Sequence, residues 1–185
     1  MTGLAARARA LAGRVAGRRR PATCLIVPVL DAEPVVASWL GQQRVDFDGA
    51  PLHVTVMYPF LSARVAAAAE PAIADLASGI EPFDFVLARS GQFPGVQYLA
   101  PEPAASFVAI TELIQRRWPS CRPYSGAFDT VTPHMTVTFA DDPPVPDEVQ
   151  RRDLPIRTRA AELWLLEQTP QGWRTRSRFP LGRAD

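Results

Sequence analysis

Lysine is absent from this 185-residue chain; all twenty basic residues are arginine. That excludes ligation through a nucleotidylated lysine. Set beside the many Ala and Pro residues, it reads as the codon bias of a GC-rich genome, not as an arginine-recognition surface. Cysteine is nearly absent. Cys24 and Cys121, with no secretion signal, are expected as two buried free thiols in a reducing compartment, which places the protein in the cytoplasm. No apolar run approaches the ~18 residues of a membrane span, so no membrane partner is expected. There is no Gly-rich phosphate loop, no nucleophile elbow and no zinc spacing. Asp129, Asp141 and Asp142 read as solvated loop carboxylates. Histidine occurs only twice, and two histidines without a cysteine or carboxylate at ligand spacing make a poor metal site. Neither a metal nor another cofactor is therefore expected.

What remains is a foldable chain. Apolar residues make up 47% of it, enough for a core in one domain or two small, closely packed lobes. The net charge of +1 hides an asymmetry. Residues 1–20 carry six arginines and no acid, while the remainder carries fourteen arginines against nineteen acids. An acidic body is not the footprint of a protein that grips long nucleic acid, although a local pocket for a nucleotide or an RNA end is compatible with it. Residues 1–20 are expected to be an Arg-rich flexible tail or an over-extended start, with an RNA-contacting arm or a targeting segment as alternatives. Residues 21–185 are expected to form a single domain.

Hydrophobic periodicity gives the order β-α-β-α-β-β-α-β-β-β. Strands are expected over 22–30, 52–60, 83–89, 96–100, 134–140, 161–169 and 173–181. Helices are expected from the acidic cap Asp31 to near Arg44, over 66–77, and from Pro103 to about Arg117, the last with Phe107, Ile110, Leu113 and Ile114 inward. Residues 141–152 suggest one helical turn or two. Mixed elements with frequent hairpins argue for an α+β fold with mainly antiparallel sheets. In the last strand Arg174, Arg176 and Arg178 share one face by alternation, either as a charged, aggregation-resistant edge or as an anion-steering row.

The two histidines sit in one context. His53-Val54-Thr55-Val56 and His134-Met135-Thr136-Val137 each place threonine two residues after histidine. With eleven threonines in the chain, chance gives that for both histidines roughly 0.4% of the time. On a strand, residues i and i+2 share a face, so each motif presents an imidazole beside a hydroxyl and buries its apolar residues behind. The motifs lie 81 residues apart, each after a strand-and-helix passage, which predicts two lobes related by approximate twofold symmetry. The alternative, two core histidines satisfied by neighbouring backbone, leaves the shared context unexplained. Two imidazoles and two hydroxyls around one cavity suit a phosphodiester. One histidine takes a proton from the attacking oxygen, the other protonates the leaving one, and the hydroxyls bind the non-bridging oxygens.

Leu52-His53-Val54-Thr55-Val56-Met57-Tyr58-Pro59-Phe60 resembles the first motif of the 2H phosphoesterase superfamily, in its 2′-5′ RNA ligase-like branch. Pro123-Tyr124-Ser125-Gly126 with Thr132-Pro133-His134-Met135-Thr136-Val137 resembles the second, and Pro94 to Pro101 resembles a family strand pair. The resemblance covers about residues 22–181. It implies a bilobal α+β fold of two pseudo-symmetric lobes with a central cleft, in a monomer. It also implies metal-independent opening of a 2′,3′-cyclic phosphate, on RNA 3′ ends or nucleotides, to a 2′-phosphate. By that analogy His134 is the base and His53 the acid, and Thr55 and Thr136 hold the phosphate. Tyr58, Tyr124 and Phe128 flank the motifs, where they stack on a base or line the cleft; Tyr58 reads more readily as core, and Tyr124 equally well as a plain loop residue. A module that binds RNA ends or nucleotides without turnover, and a 2′-5′ RNA ligase activity, are the competing readings.

Overall fold

The structure, a computed structural model, describes residues 23–41, 48–128, 130–139 and 144–183. Its elements run β1 (Thr23–Pro28), α1 (Glu33–Leu40), β2 (His53–Met57), α2 (Ala63–Ser78), β3 (Phe83–Phe93), β4 (Val96–Glu102), α3 (Ala104–Arg117), β5 (Met135–Phe139), α4 (Asp147–Asp153), β6 (Ile156–Ala160), β7 (Glu162–Thr169) and β8 (Gly172–Pro180). The Arg-rich segment 1–20 and the carboxylates Asp129, Asp141 and Asp142 lie outside the described residues.

All eight strands form one sheet in the order β6-β3-β4-β5-β2-β1-β7-β8, and every pairing is antiparallel. The fold is α+β, as expected. The two motif strands, β2 and β5, meet at the centre, with four strands on each side of their junction. Each half has the same inner plan: a leading strand (β1 or β4), a helix (α1 or α3), then the motif strand beside the leading strand. These are the two pseudo-symmetric lobes.

One face of the sheet is the core. Leu25, Val27, Val54, Leu99, Met135, Leu163 and Leu165 pack there against Val36 of α1, Ile73 of α2, and Phe107, Ile110 and Ile114 of α3. All of these but Val36 are at most 2% exposed. This continuous apolar burial is the main stabilising term. The opposite face carries only a small cluster, Cys24, Ile26, Trp164 and Leu166, flanked by Ala50, Tyr58 and Trp173. Both cysteines are buried free thiols, as expected. No helix among the described residues is long and apolar enough to cross a membrane.

Several local expectations are corrected. Asp31 does not cap the first helix. It lies in a 3-10 turn, Leu30–Ala32, and accepts a hydrogen bond from the Thr158 hydroxyl at 2.7 Å. The helix itself ends at Leu40, before Gly41 in a positive-φ conformation. Leu113 is 36% exposed, because the buried stripe of α3 runs through Phe107, Ile110 and Ile114 at spacings of three and four. The strand β6 adds to the expected order, and α4 supplies the helical turns suggested for 141–152. β6 has a five-residue alternation of buried and exposed positions, too short to stand out between Pro155 and β7. The three arginines of β8 do not share a face. A bulge opposite Leu165 and Leu166 sets Arg174 across from Glu167 but Arg178 across from Trp164, two partners of opposite facing.

The loop before β2 is held by the last hairpin. The amide of Trp173 donates to the carbonyl of Asp48. Gly172, at φ +108°, lies so close that a Cβ there would run into the Asp48 carbonyl, and one at Gly49 would lie 2.8 Å from the Trp173 carbonyl oxygen. Only glycine tolerates both the approach and the left-handed backbone. Gly172→Ala is therefore expected to cost about 1–3 kcal/mol of stability, read as a lower urea midpoint with unchanged m-value.

Candidate active site

The site grows from two repeated backbone features. The first is a bulge. Between Ile26 and Leu25 of β1, the partner strand β2 runs from Thr55 to Met57 with Val56 extra. Between Tyr98 and Gln97 of β4, β5 runs from Thr136 to Thr138 with Val137 extra. In both motifs the extra residue stands three after the histidine. An extra residue re-aims everything beyond it. Val56 and Met57 both enter the helix-covered core, and Tyr58 returns to the open face beside the small cluster. The hydroxyl of Thr111, on α3, lies 3.0 Å from the carbonyl of Val56, so a helix of the other lobe satisfies the group the bulge displaces.

The second feature orients the imidazoles. Nδ1 of His53 lies 2.7 Å from the carbonyl oxygen of Pro51. Nδ1 of His134 lies 2.8 Å from that of Thr132. A carbonyl only accepts, so each Nδ1 carries a hydrogen and donates it. Nε2 is then the free atom on both rings, able to take a proton or, once protonated, to give one. Both tethers run to the residue two before the histidine.

Register brings the halves together. Val54 pairs with Met135 across the central junction. In an antiparallel ladder through that pair, His53 falls opposite Thr136 and Thr55 opposite His134, all four on the face away from Val54 and Met135. The two histidines become diagonal neighbours, about 7–8 Å apart at the backbone. They sense each other electrostatically: His134 is one cause of the lowered His53 pKa.

Both imidazoles are half-buried. Burial pushes each pKa below the ordinary histidine value, and the carbonyl on Nδ1 partly offsets this. Tyr124 is brought in from the loop after α3. Its amide donates to the Tyr58 carbonyl at 2.5 Å, its backbone is left-handed at φ 51°, and the neighbouring Thr55 side chain works against burial to lower the pKa of its phenol. The Cys24 thiol lies 3.8 Å from the Leu25 carbonyl oxygen, with the Thr55 side chain as a second neighbour. Burial raises the pKa of Tyr124, Tyr58 and Cys24 alike, and for the tyrosines the neighbouring Cys24 adds to it. The phenols therefore stay protonated donors at neutral pH. Tyr58 packs edge-on to Trp173 at 5.8 Å, so it belongs to the open face and not to the main core. Phe128 is 55% exposed and touches Tyr124 edge-on at 5.6 Å.

Two residues escaped the sequence reading. Phe93 and Tyr98 stack at 4.3 Å and meet the His134 ring at 5.1 Å and 5.4 Å. The sequence puts Phe93 in the Phe93-Pro94-Gly95 turn and Tyr98 on the strand after it; only the longer β3, reaching Phe93, and the pairing of β4 with β5 reveal that they wall the site. Opposite Tyr98 on β3 is Gly91, where any Cβ would strike the tyrosine ring. No group of His, Cys, Asp and Glu among the described residues could hold a metal ion.

The model of the 2′-5′ RNA ligase superfamily matches residues 29–172, more than half of the chain and both motif strands. The chain belongs to that superfamily. The resemblance to the 2H phosphoesterases stands with it. Superfamily members of known structure share the fold at low identity. LigT of E. coli complexed with 3′-AMP is 18% identical, with 88% of this chain and 99% of that chain covered and a TM-score of 0.59. The same protein complexed with NADP+ aligns at 17% identity over 89% and 99%, with a TM-score of 0.59. A Thermus thermophilus protein aligns at 18% identity over 88% and 100%, with a TM-score of 0.60. No curated protein sequence matches the chain.

The lowered histidine pKa values lead to a direct check. Histidine ring resonances followed by NMR are expected to titrate below the ordinary value of ~6.5, and His134→Asn is expected to move the His53 midpoint up by removing the like charge. The unfolded chain then binds more protons than the folded one just below that value. Stability contributed by these groups is therefore present above ~6.5 and lost as pH falls through the unfolded value towards the folded ones.

Proposed function

We propose that this superfamily member is a metal-independent phosphodiesterase that opens the 2′,3′-cyclic phosphate of nucleotides or RNA 3′ ends to a 2′-phosphate, acting as a monomer in the cytoplasm. The observation that carries the reading is the pair of imidazoles on one open face, each tied through Nδ1, free at Nε2 and set beside a threonine hydroxyl. That the E. coli relative has been captured with 3′-AMP, ATP and NADP+ is consistent with a nucleotide entering the equivalent cleft.

In the proposed cycle, water lies on the His134 side of the phosphorus. Nε2 of His134 takes its proton as the oxygen attacks. The bond from phosphorus to the 3′-oxygen breaks on the opposite side, and Nε2–H of His53 protonates that oxygen. Histidines positioned diagonally suit this in-line path, since attack and departure need groups on opposite sides of one phosphorus. The hydroxyls of Thr136 and Thr55 donate to the non-bridging oxygens, where charge accumulates. Tyr124, tied by its amide to the Tyr58 carbonyl, stands beside Thr55, and Tyr58 lines the floor. Both histidine tethers are backbone carbonyls, so the tethers do not assign acid and base; the reverse reaction exchanges their roles.

His53→Ala and His134→Ala are each expected to lower kcat by about 10²–10⁴-fold on a nucleoside 2′,3′-cyclic phosphate, with chelator without effect and the nucleoside 2′-phosphate as product. Full activity in either variant would end the two-histidine account, and saturable binding without turnover in the wild type would favour a binding module.

The working form carries one proton on the pair. Because burial lowers both histidines, the alkaline limb of kcat/KM against pH, which reports the free enzyme, is expected below ~6.5. A limb above neutrality would contradict it.

A further inference from the structure

The three arginines of β8 have different partners. Arg174 pairs with Glu167 at 3.0 Å. Arg176 pairs with Glu70 of α2 at 2.7 Å and with Glu167 at 3.1 Å. Both are held on the helix-covered side. The bulge turns Arg178 to the other face, the one that carries the histidines. There its guanidinium lies 4.0 Å over the Trp164 ring. It is exposed, and no carboxylate pairs with it among the described residues. Glu162, on the same strand as Trp164, accepts the indole N–H at 2.7 Å instead. Trp164 is only 4% exposed, so its role is to seat the cation, not to offer a stacking face.

Arg178 is in line with the reacting centre. It pairs in register with Trp164, Trp164 with Ile26, and Ile26 with Thr55. Paired residues on neighbouring strands share a face, so these four form one row across the lobe. A guanidinium over Trp164 stands about two strand spacings, ~10 Å, from Thr55. That is too far to touch a phosphate held between His53 and His134. It is within reach of the next phosphate along the same nucleotide chain. A flat guanidinium with one face on an indole keeps its N–H edges free for phosphate oxygens.

We propose that Arg178, seated on Trp164, binds the phosphate adjacent to the reacting one, so that the site takes an RNA 3′ end of two or more nucleotides in preference to a mononucleotide. This names the substrate class of the site described above and rests on that site handling a terminal nucleotide phosphate. The acidic remainder of the chain fits a short grip of this kind and not a long one.

The test compares two ligands that the proposed hydrolase does not consume: a 5′-labelled tetraribonucleotide ending in a 2′-phosphate, and adenosine 2′-phosphate. Wild-type protein is expected to bind the tetranucleotide more tightly. Arg178→Ala, and Arg178→Gln, which keeps an aliphatic stem over the indole, are expected to weaken that binding about five- to tenfold and to lower its salt slope by about 0.7, one single-strand phosphate contact. Both are expected to leave adenosine 2′-phosphate binding unchanged, and Arg174→Ala is expected to alter neither. Equal tightness for the two ligands in the wild type, or Arg178 variants that weaken both equally or neither, would overturn the proposal. A separate assay with adenosine 2′,3′-cyclic phosphate decides the hydrolase reading, because the role of Arg178 is read from equilibrium binding whether or not turnover occurs.

Discussion

The register between the two central strands is the constraint on which everything else rests. Val54 and Met135 face each other there with no exposed surface, and both sit in the core under the helices. A one-residue slip on either strand would turn its histidine and threonine into that core and push valines or methionine out. Burying an imidazole and a hydroxyl without partners while exposing apolar side chains is costly twice over. The hydrophobic core therefore chooses the one alignment that places four polar groups together on the open face. Stability and site geometry are set by the same pair of residues.

The pseudo-symmetry extends to the local details of both motifs. Each histidine is tied by Nδ1 to the carbonyl two residues before it, and each motif strand bulges three residues after its histidine. The lobes then diverge in the next row outward. In one, Ile26 pairs with Trp164. In the other, Tyr98 pairs with Gly91, which leaves room for the tyrosine ring beside His134. Thr55 has Tyr124 and Cys24 as neighbours, while Thr136 pairs with Tyr98. The two histidines therefore have the same local geometry but different surroundings: one beside the polar side chains of Thr55, Tyr124 and Cys24, the other beside an aromatic wall. That divergence gives each histidine the chance of a distinct role despite its repeated tether.

Much of this was legible in the sequence, because it rests on local pattern. The His-x-Thr spacing identifies the four central residues, and strand alternation puts each pair on one face. Helix and strand order follow from apolar periodicity, with misses where segments are short, as for β6, or where an acidic residue imitates a cap, as for Asp31. What was not legible depends on non-local pairing. A bulge is a relation between two strands, so the facing of Tyr58 and the separation of Arg178 from Arg174 and Arg176 cannot be read from one strand alone. Phe93 looks like a turn residue and Tyr98 like an ordinary strand aromatic until β4 is placed against β5. Tyr124 was chosen for its neighbourhood in the chain, but its contact with Thr55 depends on a loop of one lobe landing on the end of β2 in the other.

The central claim is that His53 and His134 act from opposite sides of one phosphorus. A crystal structure with a nucleoside vanadate bound, in which vanadium takes the five-coordinate geometry of in-line displacement, tests it most directly. The account predicts Nε2 of each histidine within about 2.6–3.2 Å of a different apical oxygen, with the Thr55 and Thr136 hydroxyls on equatorial oxygens. Vanadate bound with both imidazoles at the same apex, or bound away from them, would contradict it.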